Sequence, residues 1–125
     1  MFRLFSKKKE EEQGTMTWIP LSNQEEIDKM LVASKEKPAI IFKHSTRCGI
    51  SNMVLESFIA ELKKMDFEKY NLYAVDVLEH RPASNALAEQ LQVFHQSPQL
   101  LIVKNQELVH SSSHHAISAK SLENI

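Results

Sequence analysis

Apolar positions change their spacing along the chain, and each change marks an element. Trp18-Ile19-Pro20-Leu21 reads as a short strand, and the missing N–H of Pro20 confines it to a sheet edge. Ser22 or Asn23 then caps a helix in which Ile27, Met30 and Leu31 recur at helical spacing. Glu25 and Glu26 in its first turn suit the positive end of the helix dipole, and Lys37-Pro38 lies beyond its end. Ala39-Ile40-Ile41-Phe42 is an unbroken apolar run, as expected of a central strand covered on both faces. A long amphipathic helix follows from Cys48, with Val54, Phe58, Leu62 and Met65 one turn apart, flanked by Leu55 and Ile59.

Leu72 to Val77 is a second apolar strand, and Pro82 opens a third helix with Ala83, Leu87 and Leu91 on one face. Gln99 to Val103 and Glu107 to His110 flank Lys104-Asn105-Gln106, whose asparagine tolerates positive φ, so the pair predicts an antiparallel hairpin. A last helix is expected near Ser118. The order β-α-β-α-β-α-β-β-α predicts an α/β fold, with a central mixed β-sheet flanked by helices.

The periodicity is absent from residues 1–15, where Met1-Phe2-Arg3-Leu4-Phe5-Ser6 runs into Lys7-Lys8-Lys9-Glu10-Glu11-Glu12. That segment is expected to be a disordered charged leader, with the folded domain over 16–125, beginning close to Trp18. Phe2, Leu4 and Phe5 are too few for a signal peptide core or a membrane anchor, and the glutamates cancel the lysine charge. A chain of 125 residues is one domain of ordinary size, able to bury a core unaided. Its 42% hydrophobic and 25% charged content is that of a soluble protein, and a formal charge of −1 gives no basic field for nucleic acid. One cysteine cannot form an internal disulfide, which points to a reducing, cytoplasmic setting. A monomer is expected.

That cysteine carries the candidate chemistry. At a helix N-terminus, unpaired N–H groups and the dipole favour negative charge, so the Cys48 thiolate is expected to be stabilised and nucleophilic. Arg47 adds positive charge, and Lys43 or His44 at the end of the preceding strand could add more. Ser51, one turn on, can offer its hydroxyl to the sulfur but cannot resolve a mixed disulfide, so turnover needs a second thiol from outside. A buried, inert cysteine is the alternative. The polar or small neighbours Thr46, Arg47, Gly49 and Ser51 argue against it.

The strand Ile40 to His44, Cys48-Gly49-Ile50-Ser51 opening a helix, and Ser97-Pro98 before a strand together resemble the thioredoxin superfamily, from about Trp18 to the C-terminus. The resemblance implies a thioredoxin-like fold in which Pro98 is cis and faces Cys48, with the backbone of Ser97 exposed for pairing with a substrate chain. More narrowly, Ser45-Thr46-Arg47 before a single-cysteine Cys-x-x-Ser, the stretch Val93 to Gln99, and the late Ser113-His114 with Ile117-Ser118 are similar to the YtxJ-type monothiol bacilliredoxins. Those proteins remove bacillithiol from mixed disulfides on other proteins. The resemblance implies Cys48 as the catalytic residue, Arg47, Gly49 and Ser51 as thiolate-stabilising, and Thr46, Ser97 and Pro98 as substrate-binding. It further implies bacillithiol as co-substrate, S-bacillithiolated proteins as clients, a low-molecular-weight thiol as partner, and a role in stress response. Arg47 and Lys43 would hold the carboxylates of bacillithiol. The chain departs from the wider superfamily where Ser51 replaces a second cysteine, and where Gln92 and Lys104-Asn105-Gln106 lack its glycines.

Rival readings rest on the same residues. His110, His114 and His115 lie close together, but a structural zinc site wants four ligands, usually with cysteines, so no metal is expected. A Cys48–His hydrolytic dyad lacks an identifiable third residue. A thioredoxin-like binding module without redox turnover would carry an unactivated Cys48. A glutathione-dependent monothiol glutaredoxin sharing an iron–sulfur cluster would be coloured.

Overall fold

In a computed structural model of the chain, residues 16–125 are described. The expected leader, residues 1–15, lies outside them. Among the described residues five strands are β1 (Trp18–Pro20), β2 (Ala39–His44), β3 (Asn71–Asp76), β4 (Gln99–Lys104) and β5 (Glu107–Ser113). Among the same residues three α-helices are α1 (Gln24–Ala33), α2 (Gly49–Leu62) and α3 (Arg81–Leu91). The sheet order is β1-β3-β2-β4-β5, with β1, β3 and β2 parallel, β4 antiparallel to β2, and β5 antiparallel to β4. The fully buried β2 is central, and the proline-bearing β1 is at the edge.

Side chains alternate across β2 because successive residues of a strand point to opposite faces. Ile40 and Phe42 pack with Val54, Leu55, Phe58, Ile59 and Leu62 of α2. Ala39 and Ile41 pack with Ile27, Met30 and Leu31 of α1 and Leu87 and Leu91 of α3. Asn23 caps α1 by accepting the Glu26 N–H at 2.9 Å.

Two expectations are corrected. The last helix is a 3-10 turn, Ala119–Leu122, capped by Ser118, whose hydroxyl accepts the Lys120 N–H at 3.2 Å. Its Ala119 and Leu122 are buried beside α2, and the Glu61 carboxylate accepts the Ala119 N–H at 2.9 Å, so packing rather than helix length holds this end. The hairpin loop is two residues, not three: Asn105 and Gln106 take φ of 55° and 68°. Ser34 receives both their amides, at 2.9 and 2.8 Å, which offsets the cost of a left-handed glutamine.

Candidate active site

β2 ends at His44, and the chain turns through Ser45, Thr46 and Arg47 to Cys48, the N-cap of α2, in an extended conformation (φ −104°, ψ 120°). The Cys48 amide donates to the Ser45 carbonyl at 3.2 Å, and the Cys48 carbonyl accepts the Asn52 N–H at 3.1 Å, the first bond of the helix. Cys48 is half-buried, Thr46 half-buried, and Arg47 and Gly49 exposed. No side chain caps α2, so the thiol stands beside the unpaired amides of the first turn. A Cβ on Gly49 would meet nothing within 4 Å, so space does not require glycine there.

Ser51 is fully buried, and its hydroxyl lies 2.7 Å from His44 Nδ1 while accepting the Ser45 N–H at 3.1 Å. This corrects the expectation that the hydroxyl serves the sulfur: among the described residues no side chain hydrogen-bonds Cys48. The serine instead ties the first turn of α2 to the end of β2 and shapes the loop between them. His44 does not supply charge either. Burial pushes its imidazole down to about 4, against the upward pull of the Asp76 carboxylate, so the ring is neutral near pH 7.

Lys43 points to the other face of the sheet from His44, as strand alternation requires. It is 0% exposed, with Nζ 3.3 Å from the Ser84 carbonyl of α3 and 2.8 Å from His95 Nδ1. Burial, with a smaller push from Arg81, lowers it to about 8. Lys43 is thus not a surface cation for an acidic ligand, a second correction. Strand alternation already carries the signal in the sequence, since adjacent residues of a strand cannot share a face.

The Ser97-Pro98 peptide bond is cis. Lys43 pairs with Gln99 across β2 and β4, so Pro98 comes level with the end of β2, at the same end of the sheet as the Ser45 to Cys48 loop. The Pro98 carbonyl accepts the His114 N–H at 3.1 Å, with His114 at φ 54°. Among the described residues the Ser97 main chain takes no backbone partner. The loop before it is held by the Gln99 side-chain amide, which donates to the Phe94 carbonyl at 3.0 Å, and by His95. The His95 contact was not anticipated from sequence. Phe94 is 89% exposed, and Ile50 and Met53 of the first turns of α2 are exposed as well.

His114 and His115 border a cavity of about 130 Å³ with Met53, Val54, Ser57 and Ile117. Among the described residues no three His, Cys, Asp or Glu side chains gather as a metal would need, and no helix is long and apolar enough to cross a membrane.

The arrangement is similar to known proteins. The family model described as "Monothiol bacilliredoxin BrxC" matches residues 19–122. A solved structure whose description gives a thioredoxin fold and, provisionally, an oxidoreductase role is 29% identical, covering 83% of this chain and 88% of that one with a TM-score of 0.70. Fasciola hepatica thioredoxin is 19% identical over 86% of this chain and 95% of its own, with a TM-score of 0.63. Malassezia sympodialis thioredoxin is 19% identical over 85% of each chain, with a TM-score of 0.65. At that identity the two thioredoxins speak to the fold alone.

Proposed function

We propose, for a chain that belongs to the monothiol bacilliredoxin family and is a monothiol redox protein of thioredoxin fold, that Cys48 removes bacillithiol from proteins carrying it as a mixed disulfide. The observation that carries this reading is the single cysteine: Cys48 stands half-buried at the N-cap of α2, and the position one turn later holds a buried serine.

The Cys48 thiolate attacks the bacillithiol sulfur of the client disulfide. A Cys48–bacillithiol disulfide forms, and the client sulfur leaves as a thiolate that takes up a proton. With no second thiol in the chain, release falls to another bacillithiol thiolate, which attacks the bound bacillithiol sulfur and frees Cys48, leaving oxidised bacillithiol. The client cysteine is reduced, and one free bacillithiol is oxidised as it joins the captured one in a disulfide, so electrons balance.

The client's extended chain docks against the unpaired main chain of Ser97, with Phe94, Ile50 and Met53 as apolar rim. Arg47 is left as the exposed cation beside the cysteine for the carboxylates of bacillithiol, since Lys43 is enclosed. A reducing, cytoplasmic setting and a monomeric state suit this chemistry.

Intact-mass measurement after mixing with a bacillithiolated protein tests the reading. The chain gains the mass of one bacillithiol as the client loses it, Cys48→Ala abolishes both changes, and free bacillithiol strips the adduct. Capture of nothing would leave a binding module without redox turnover. Glutathione taken up with equal ease would remove the bacillithiol specificity.

A further inference from the structure

Lys43 is a buried ammonium with no carboxylate within ion-pairing distance among the described residues. Such a group is costly to enclose, and an apolar side chain of its volume would serve the core as well or better. Core stability therefore does not explain why a lysine stands there. Its contacts offer another reason. An ammonium has only donors, so His95, 2.8 Å away, must offer the Nδ1 lone pair and carry its proton on Nε2. The Ser84 carbonyl at 3.3 Å takes a second N–H, and the Ser84 hydroxyl lies 3.4 Å from the same His95 nitrogen.

His95 belongs to the segment that leads into Ser97-Pro98, and Gln99, the register partner of Lys43, holds the Phe94 carbonyl at 3.0 Å. Two neighbouring side chains on β2 and β4 thus fasten consecutive residues of one loop, two residues before the unpaired Ser97 main chain. We infer that Lys43 is a positioning residue for client binding, fixing through His95 the loop that presents Ser97. The inference rests on the docking role of Ser97 proposed above.

The same geometry makes the latch sensitive to His95 protonation, which would set an imidazolium against the ammonium. Burial lowers the affinity of His95 for a proton, and the charged groups facing it, Lys43 from β2 and Arg81 from α3, both cationic, lower it further. Protonation at acid pH breaks the latch.

The test compares wild type with Lys43→Met, using a mixed disulfide on a protein client and one on a small molecule. Lys43→Met raises KM for the protein client about tenfold, the worth of a charge-assisted hydrogen bond, while kcat and the rate with the small disulfide stay unchanged. Nuclear magnetic resonance follows the His95 ring. In wild type it titrates below an ordinary histidine, and in Lys43→Met it moves up toward the ordinary value. His95→Ala, at a half-buried loop position, gives the same KM rise and stands in should Lys43→Met not fold. An active wild type with both variants at wild-type KM, or a His95 titration unmoved by Lys43→Met, overturns the role of Lys43. A wild type that transfers nothing from the protein client overturns instead the function on which that role rests.

Discussion

Ser51→Ala separates the two roles open to that serine. The substitution removes one oxygen and leaves no appreciable void, so its cost is the loss of hydrogen bonds. The Ser45 amide at 3.1 Å and His44 Nδ1 at 2.7 Å both lose their partner, and the imidazole is buried. A net hydrogen bond is worth about 1 kcal/mol, and leaving a buried polar atom unpaired costs about 1–3 kcal/mol, so a loss of about 2–3 kcal/mol is expected. For a domain near a hundred residues that corresponds to a fall in Tm of roughly 8–12 °C. Circular dichroism melts under reducing conditions measure it, alongside the rate of Cys48 alkylation at pH 7. Since the hydroxyl serves the loop and not the sulfur, alkylation should change less than about twofold, well under the tenfold that 1.4 kcal/mol would bring. An unchanged Tm with alkylation slowed severalfold would refute this and return the hydroxyl to the sulfur.

Two more expectations follow from the same region. His44 is held to about 4 in the folded chain against about 6.5 when unfolded, so between those values only the unfolded state takes the proton. Stability is complete above about pH 6.5 and falls as pH drops toward 4, by about 3 kcal/mol from this residue. Denaturant midpoints at pH 7 and 4.5 measure the loss; His44→Asn should flatten it, and an unaltered slope in that variant would clear His44. Phe94, 89% exposed, buries almost nothing within the chain, so Phe94→Ser should leave stability within about 0.5 kcal/mol while slowing transfer from protein clients but not from small disulfides. Equal loss with both substrates would dismiss it as a docking residue.

The layers of this protein are legible in its apolar pattern. Apolar periodicity is a local property, so the helices of Ile27, Val54 and Leu87, the buried run of Ala39 to Phe42 and the edge placement imposed by Pro20 were all legible. So was the position of Cys48 at a helix start, because a strand that stops and an amphipathic repeat that begins leave little room between them. Where hydrogen bonds cross between elements, the sequence was silent. Ser51 was one turn from Cys48 along the helix, but which of its neighbours receives the hydroxyl depends on how β2 meets α2, and the end of β2 takes it. Lys43 and His44 look alike as basic residues at a strand end. Burial keeps the imidazole neutral well into acid pH, and only the packing of α3 and the loop before Pro98 on the far face encloses the lysine and gives it His95. Short-range patterning decides which faces are buried, whereas the charge state and partner of a polar group inside are set by whatever the rest of the chain brings against it.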